Sequence, residues 1–175
     1  MINKAAAVIL LIMVASLCVA GCITNNTNQT PSAATQHDAF LEKYLTTFKN
    51  EQYSNSNQLV QAWELDWING TSARVQLTAY NKTLNLTMNA DSTNMVFPTT
   101  QDAANYVNAM NLTAYSLAST ESPSGGLYQN VTGHAPQIYK QYEYSEGSVL
   151  LGDYKLHEII QNDNIVTVAT AKLLS

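Results

Sequence analysis

Charge is scarce in this chain. Only 12% of its 175 residues are Asp, Glu, Lys or Arg, about half the usual share of a soluble protein. Arginine occurs once, at Arg74, and acidic residues outnumber basic ones 13 to 8, for a net charge of −5. With no basic footprint to neutralise phosphates, nucleic-acid binding is excluded. Cysteine occurs twice, at Cys18 and Cys22. The chain carries no GxGxxG, Walker, GxSxG, SxxK or HExxH pattern, each of which would place a specific chemistry on a turn or helix. His37, His134 and His157 are isolated, with no second histidine or cysteine at ligand spacing, so no metal or cofactor is expected. What the chain has instead is uncharged polarity. Asn, Thr, Ser and Gln make up 60 of the 175 residues.

The N-terminus carries an address. Lys4 precedes an apolar run over residues 5–20 that is broken only by Ser16, the layout of an export signal. The run ends in Val19-Ala20-Gly21-Cys22. These four residues resemble the lipobox of bacterial and archaeal lipoproteins. That resemblance implies a leader over 1–21, cleavage before Cys22, and a diacylglyceryl group on the Cys22 sulfur. The other reading is an uncleaved anchor, since residues 5–22 number 18, near the lower limit for spanning a bilayer. Both readings tether the chain to a membrane on its extracytoplasmic face. With Cys18 in the leader, Cys22 is the one thiol left and no internal disulfide can form, so the folded part must be held by its core.

Residues 22–36 are polar and uncharged after Cys22 and read as a flexible tether with a reach of roughly 20 Å. Seven N-x-S/T sequons occur, at Asn25, Asn28, Asn69, Asn81, Asn85, Asn111 and Asn130, each a candidate glycan acceptor. Lipobox and sequons together are similar in style to the small surface lipoproteins of methanogenic archaea, a likeness that implies no activity.

Residues 37–175 read as one α+β domain. Phe40, Leu41, Tyr44, Leu45 and Phe48 recur at helical spacing, with Glu42, Lys43, Thr46 and Lys49 on the other side, predicting an amphipathic helix over 38–51. Thr35 with Asp38, and Thr99 with Asp102, have capping-box spacing. The second pair opens a helix at about 99–111 whose buried stripe is Ala103, Tyr106, Val107 and Met110. Between the helices the period is two. Trp63, Leu65 and Trp67, then Ala73, Val75, Leu77 and Ala79, then Leu84, Leu86 and Met88 alternate with polar residues, predicting three strands.

Parity bears on their register, because a buried face cannot set apolar residues opposite polar ones. A three-residue Ile68-Asn69-Gly70 loop with Gly70 left-handed pairs Trp67 with Thr71, Leu65 with Ala73, Trp63 with Val75 and Glu64 with Arg74. A two-residue Asn81-Lys82 turn pairs Ala79 with Leu84, Leu77 with Leu86 and Val75 with Met88. Four more strand-like runs follow, at 113–119, 137–145, 149–160 and 164–173, the last two joined at Asn162-Asp163. The order α-βββ-α-ββββ implies a mostly antiparallel sheet of about seven strands with two helices packed on it. Its arrangement is loosely similar to the PsbP/Mog1-like fold.

Candidate functional residues are few. Glu64 and Asp66 share a strand face, but a cross-strand pair with Arg74 accounts for them more simply than acid–base work. Segment 119–136 is long for a loop without periodicity, and such loops carry function or disorder. There Gly125, Gly126 and Gly133 give freedom, Leu127, Tyr128 and Val131 can tuck it onto the sheet, and His134 is its one histidine. Tyr142 and Tyr144 share a strand face and suit packing, or stacking on a partner. Candidate binding residues are therefore Tyr128, His134, Tyr142 and Tyr144. The expectation is a non-enzymatic surface or envelope-associated module that binds a protein or glycan. Its alternative is a small-ligand binder or sensor using the 119–136 loop, with a hydrolase a distant third.

Overall fold

The computed structural model describes residues 36–54, 58–81, 85–149 and 152–174. The leader, the tether up to residue 35, Cys22, Asn25, Asn28, Thr35, Lys82 and Leu84 lie outside the described residues. Helix α1 (Ala39–Ser54) is followed by strands β1 (Gln58–Asn69), β2 (Ser72–Asn81) and β3 (Leu86–Val96), then helix α2 (Thr100–Asn108). Strand β4 (Ser116–Ser119) and a short helix α3 (Leu127–Thr132) precede β5 (Tyr139–Glu146), β6 (Lys155–Asn162) and β7 (Ile165–Leu174). The strands form one sheet in the order β1-β2-β3-β7-β6-β5-β4. Every neighbouring pair is antiparallel, the expected α+β class and element order with α3 added inside the 119–136 segment.

The helices take opposite faces. Ile165 packs with Leu41, Tyr44 and Leu45 of α1 and Tyr128 and Val131 of α3. Its neighbour Val166 packs with Ala103 and Val107 of α2 and with Ile159. Successive strand side chains point to opposite faces, so two adjacent residues that are both 0% exposed mark a strand covered on both sides. At β7 the molecule is three layers thick.

The starts of α1 and α2 are capped by side chains. Asp38 Oδ1 accepts from the Leu41 amide at 2.9 Å. Thr99 Oγ1 accepts from the Asp102 amide at 3.1 Å and donates to Asp102 Oδ2 at 2.7 Å. Thr99 is thus the predicted N-cap, while Asp102 returns its bond to the Thr99 hydroxyl and not to the backbone amide of a full capping box. Thr99→Ala is expected to cost about 1 kcal/mol, read as a lower denaturant midpoint at unchanged slope. The α2 stripe needs two corrections: Tyr106 is 38% exposed, and the helix ends at Asn108, so Met110 packs from the turn beyond it. Only Ala103 and Val107, one turn apart, face the sheet squarely, while the Tyr106 ring lies at the flank against Phe97, centroids 5.1 Å apart.

The predicted registers are displaced. Trp67 faces Ala73, Leu65 faces Val75 and Trp63 faces Leu77, two residues from the expected pairs. The turn is Gly70-Thr71 between Asn69 and Ser72, with Ile68 as the extra residue of a bulge, and the positive-φ glycines do not include Gly70. Asn69 Oδ1 closes the turn by accepting from the Thr71 amide at 2.8 Å. Arg74 consequently sits opposite Asp66 and pairs with Asp91 on β3, not with Glu64; the guanidinium holds the Asp91 carboxyl below its ordinary range. Between β2 and β3 the displacement is four residues. Ala79 faces Met88, Leu77 faces Ala90 and Val75 faces Ser92. Slides of two and four preserve parity, so the hydrophobic pattern chooses the face and leaves the pairing to the turns.

Later elements are trimmed. β4 starts only at Ser116 because Asn111 Oδ1 closes a turn on the Thr113 amide at 3.1 Å, and β6 starts at Lys155, after a connection that holds Gly147 and Gly152 at positive φ. The β6–β7 turn residues are Asp163 and Asn164, since Asn162 pairs with Ile165.

Candidate functional site

The small residues at the centre of the sheet leave room. Ala90 and Ser92 of β3 sit opposite Ala171 and Ala169 of β7, on the face that α1 covers. Short side chains cannot fill the gap between the sheet and the helix above it, and a partly open cavity of about 190 Å³ results. Val75, Leu77 and Met88 wall it on one side and Ile160 on the other. Tyr44, Phe48 and Gln52 of α1 form the roof, and Pro123, Leu127 and Tyr128 close one end. Drug-sized sites are larger, roughly 300 Å³ and up. A dry cavity of about 150 Å³ takes benzene, so this space suits a ligand of about ten non-hydrogen atoms.

Two polar networks meet the apolar lining. In the first, Asn94 Nδ2 donates to Ser92 Oγ at 3.1 Å and Thr167 Oγ1 donates to Asn94 Oδ1 at 2.9 Å, with the Tyr44 hydroxyl bonded to Thr167. In the second, the Tyr139 hydroxyl donates to Gln141 Oε1 at 2.7 Å. Gln141 Nε2 then donates to Glu158 Oε1 at 2.9 Å and to Glu143 Oε1 at 2.8 Å. Glu143 and Glu158 are direct partners across β5 and β6. Glu158 is 5% exposed and is the one acid among the described residues lining the cavity, which include no Lys, Arg or His. Burial pushes its carboxyl up to about 7, the nearby Glu143 carboxylate pushes the same way, and the Gln141 hydrogen bond opposes them. Burial likewise raises Glu143. Tyr139 rises to about 12 from burial and the two adjacent glutamates.

No protein-family model, curated protein or solved structure matches this chain. The functional reading therefore rests on the cavity's own chemistry.

Segment 119–136 forms one end of that cavity. Gly126 precedes the first turn of α3 and Gly133, at φ 85°, ends the helix in the left-handed region that glycine enters without steric cost. Tyr128 and Val131 are buried. Lys43 Nζ donates to the Val131 carbonyl at 2.7 Å and Asn130 Nδ2 to Glu51 Oε1 at 2.8 Å, binding α3 to α1. The Tyr128 hydroxyl donates to Asp163 Oδ2 at 2.9 Å. The tucked reading of this segment holds, with Leu127, Tyr128 and Val131 as its contacts.

The four candidate binding residues do not come together. Tyr128 lines the cavity. His134 is exposed, edge-on to Tyr128 with centroids 6.0 Å apart, its Nδ1 3.0 Å from the Ala135 carbonyl oxygen. Tyr142 and Tyr144 are half-buried on the opposite face of the sheet. Tyr142 packs in the α2 core, and Tyr144 stacks on His157 at 5.5 Å. His157 Nδ1 lies 3.1 Å from Thr170 Oγ1, so it is a hydrogen-bonded strand histidine. His37 stacks on Trp67 at 3.9 Å. Glu64 and Asp66 are exposed, away from the cavity. No group of three or more potential metal ligands occurs among the described residues, and none of the described helices is long and apolar enough to cross a membrane.

Of the sequons, Asn69, Asn85, Asn111 and Asn130 are exposed. At Asn69 and Asn111 the side-chain oxygen accepts from both the amide and the hydroxyl of the threonine two residues on. N-x-T spacing therefore serves local Asx turns here.

The sequence reading missed Glu158, Gln141, Glu143 and Asp163. One signal was legible. Leu156, Glu158 and Ile160 alternate on β6, and an acid between two aliphatic residues of the same parity belongs to a buried face.

Proposed function

We propose that the chain is a membrane-anchored, extracytoplasmic binding lipoprotein, held through a lipid on Cys22 and without catalytic activity, whose cavity between α1, α3 and the sheet takes a small ligand. The observation that carries the ligand reading is the cavity itself: an apolar space edged by two hydrogen-bonded networks and one buried acid. Few convergent polar groups in an apolar concavity are what fix a ligand's orientation. Among the described residues the exposed large apolar ones are Leu65 and Ile68 on β1, Tyr106 on α2, Leu117 on β4 and Ile138 before β5. They are divided between the two edge regions of the sheet and helix α2, which weighs against an apolar docking patch.

The surface-module reading keeps one supporting feature. Gln76, Thr78, Asn89, Asp91 and Thr93 line an uncovered polar groove on the sheet face away from α1, suited to a protein or glycan partner.

Two experiments test the proposal. A thermal-shift screen of the full chain against aromatic and aliphatic fragments of up to about ten heavy atoms should find binders that raise the melting temperature. Ala169→Phe, which fills the cavity, should abolish those shifts, and shifts that survive it would place the ligand elsewhere. Metabolic labelling with a fatty acid should mark the wild-type chain and leave Cys22→Ser unlabelled. Recovery of unlabelled wild-type protein with its leader intact would remove the anchor.

A further inference from the structure

We infer that the ligand class is a small organic amine, its ammonium set against the Glu158 carboxylate and its apolar body lying over Ala90, Ala169 and Ala171. This rests on the cavity being a ligand site. It goes further in assigning the charge the ligand carries.

Three observations select an amine. Glu158 is the one carboxyl group among the described residues lining the cavity, and no Lys, Arg or His accompanies it there, so a bound carboxylate or phosphate would meet no cation to neutralise it. The Gln141 amide occupies Glu158 Oε1, which leaves the second oxygen for a donor from the cavity. The rings of Tyr44, Phe48, Tyr128 and Tyr139 border the same space, and aromatic faces attract ammonium groups. The size is consistent with a single ring on a short alkyl amine.

The charge arrangement also predicts a pH dependence. The titratable groups around Glu158 are Glu143 and Tyr139 on β5, Tyr44 on α1 with Glu51 behind it, and Tyr128 on α3. All are acids. β7 presents only Thr167, Ala169 and Ala171 to the cavity. With the cavity free of ligand, Glu158 holds its proton up to about pH 7. An alkylamine stays protonated over this range. Amine binding therefore releases a proton from Glu158 below neutrality, and affinity should climb about tenfold per pH unit up to 7 and level off above it.

The test uses three probes of one shape on the full chain in lipid nanodiscs: phenethylamine, 2-phenylethanol and phenylacetate, titrated by calorimetry from pH 5.5 to 8.5. Phenethylamine should bind best and show the pH rise. Glu158→Gln, which keeps the hydrogen bond from Gln141, should weaken the amine about ten- to a hundredfold, the worth of a charged hydrogen bond. It should also flatten the pH profile and leave the alcohol within about threefold, since the alcohol makes no charged contact. The alcohol matching the amine, phenylacetate binding tightest, or Glu158→Gln leaving the amine unchanged would each overturn the amine assignment while the cavity stands as a ligand site. Failure of all three probes on the wild-type chain, with no effect of Ala169→Phe, would overturn the site and the assignment together.

Discussion

Between pH 5 and pH 8 the full chain is expected to lose about 2.5 kcal/mol of stability, and Glu158→Gln is expected to abolish most of that loss. The sign follows from the direction of the shift. Glu158 sits at about 7 in the folded chain against an ordinary 4.5. Near pH 4.5 and below, folded and unfolded chains both hold the proton, and burial of the neutral carboxyl is fully tolerated. From about 4.5 to 7 the unfolded chain ionises while the folded chain does not, so unfolding becomes progressively easier. Above 7 both are ionised and the folded state carries the whole cost of a buried charge, about 3 kcal/mol for a shift of this size. Thermal unfolding should show the loss as a fall on the order of 10 °C. Glu143→Gln should reduce the fall partway, because the Glu143 charge adds to a shift that burial dominates. A wild-type melting temperature that is flat from pH 5 to 8, or one that falls equally in Glu158→Gln, would assign the titration to another group. The same variant thus reads stability without ligand and charge recognition with it.

The sequence carried the scaffold further than it carried the site. Period-two alternation in Ala73, Val75, Leu77 and Ala79, and helical spacing in Leu41, Tyr44 and Leu45, located β2 and α1 because each buries one face in a continuous core. The pairing of β1 with β2 was not legible to the residue. A slide of two keeps Trp63, Leu65 and Trp67 on the same side, and the bulge at Ile68 that decides between registers leaves no apolar signature. The second half of β3 was invisible for a related reason. Asn89 to Asn94 is polar or small throughout, and its strand pairing comes from β2 and β7 on either side. That stretch is half the floor of the cavity, so the feature that hid the strand is the one that makes the space. The site's polar half was hidden by distance in sequence: Gln141, Glu143 and Glu158 become neighbours only when β5 folds back on β6. The abundance of Asn, Thr and Gln finds its place on the uncovered face of β2, β3 and β7, where Gln76, Thr78, Asn89, Thr93 and Thr170 supply most of a solvated side that also carries Asp91 and Lys172.

Asp163→Ala is expected to destabilise the chain by about 3–5 kcal/mol and to free α3 from the end of the cavity. Asp163 lies in the two-residue β6–β7 turn at φ 49°, a conformation that Asp and Asn adopt more readily than Ala. From there it ties three elements together. Oδ2 accepts from the Tyr128 hydroxyl at 2.9 Å, Oδ1 from the Ile138 amide at 2.8 Å, and the Asp163 amide donates to the Ile138 carbonyl at 2.8 Å. Burial, aided by the neighbouring Asp163 carboxylate, raises the Tyr128 hydroxyl to about 12, so it remains a donor at all ordinary pH. Alanine removes both acceptor oxygens. The Tyr128 hydroxyl, left unpaired in a buried setting, costs about 1–3 kcal/mol, the partly exposed Ile138 amide costs less, and the left-handed backbone adds about 1 kcal/mol. Asparagine keeps the turn and one acceptor oxygen, so Asp163→Asn should lose less than half as much. Because the Tyr128 contact is one interaction with two ends, Tyr128→Phe in the Asp163→Ala background should cost less than it does alone, a coupling measured by a double-mutant cycle. Hydrogen exchange should quicken across Leu127–Thr132 in Asp163→Ala while the amides of β2 and β7 keep their protection, since local opening follows the contacts that are lost. Strict additivity of the two substitutions, or unchanged exchange in α3, would show that the turn does not hold the helix in place.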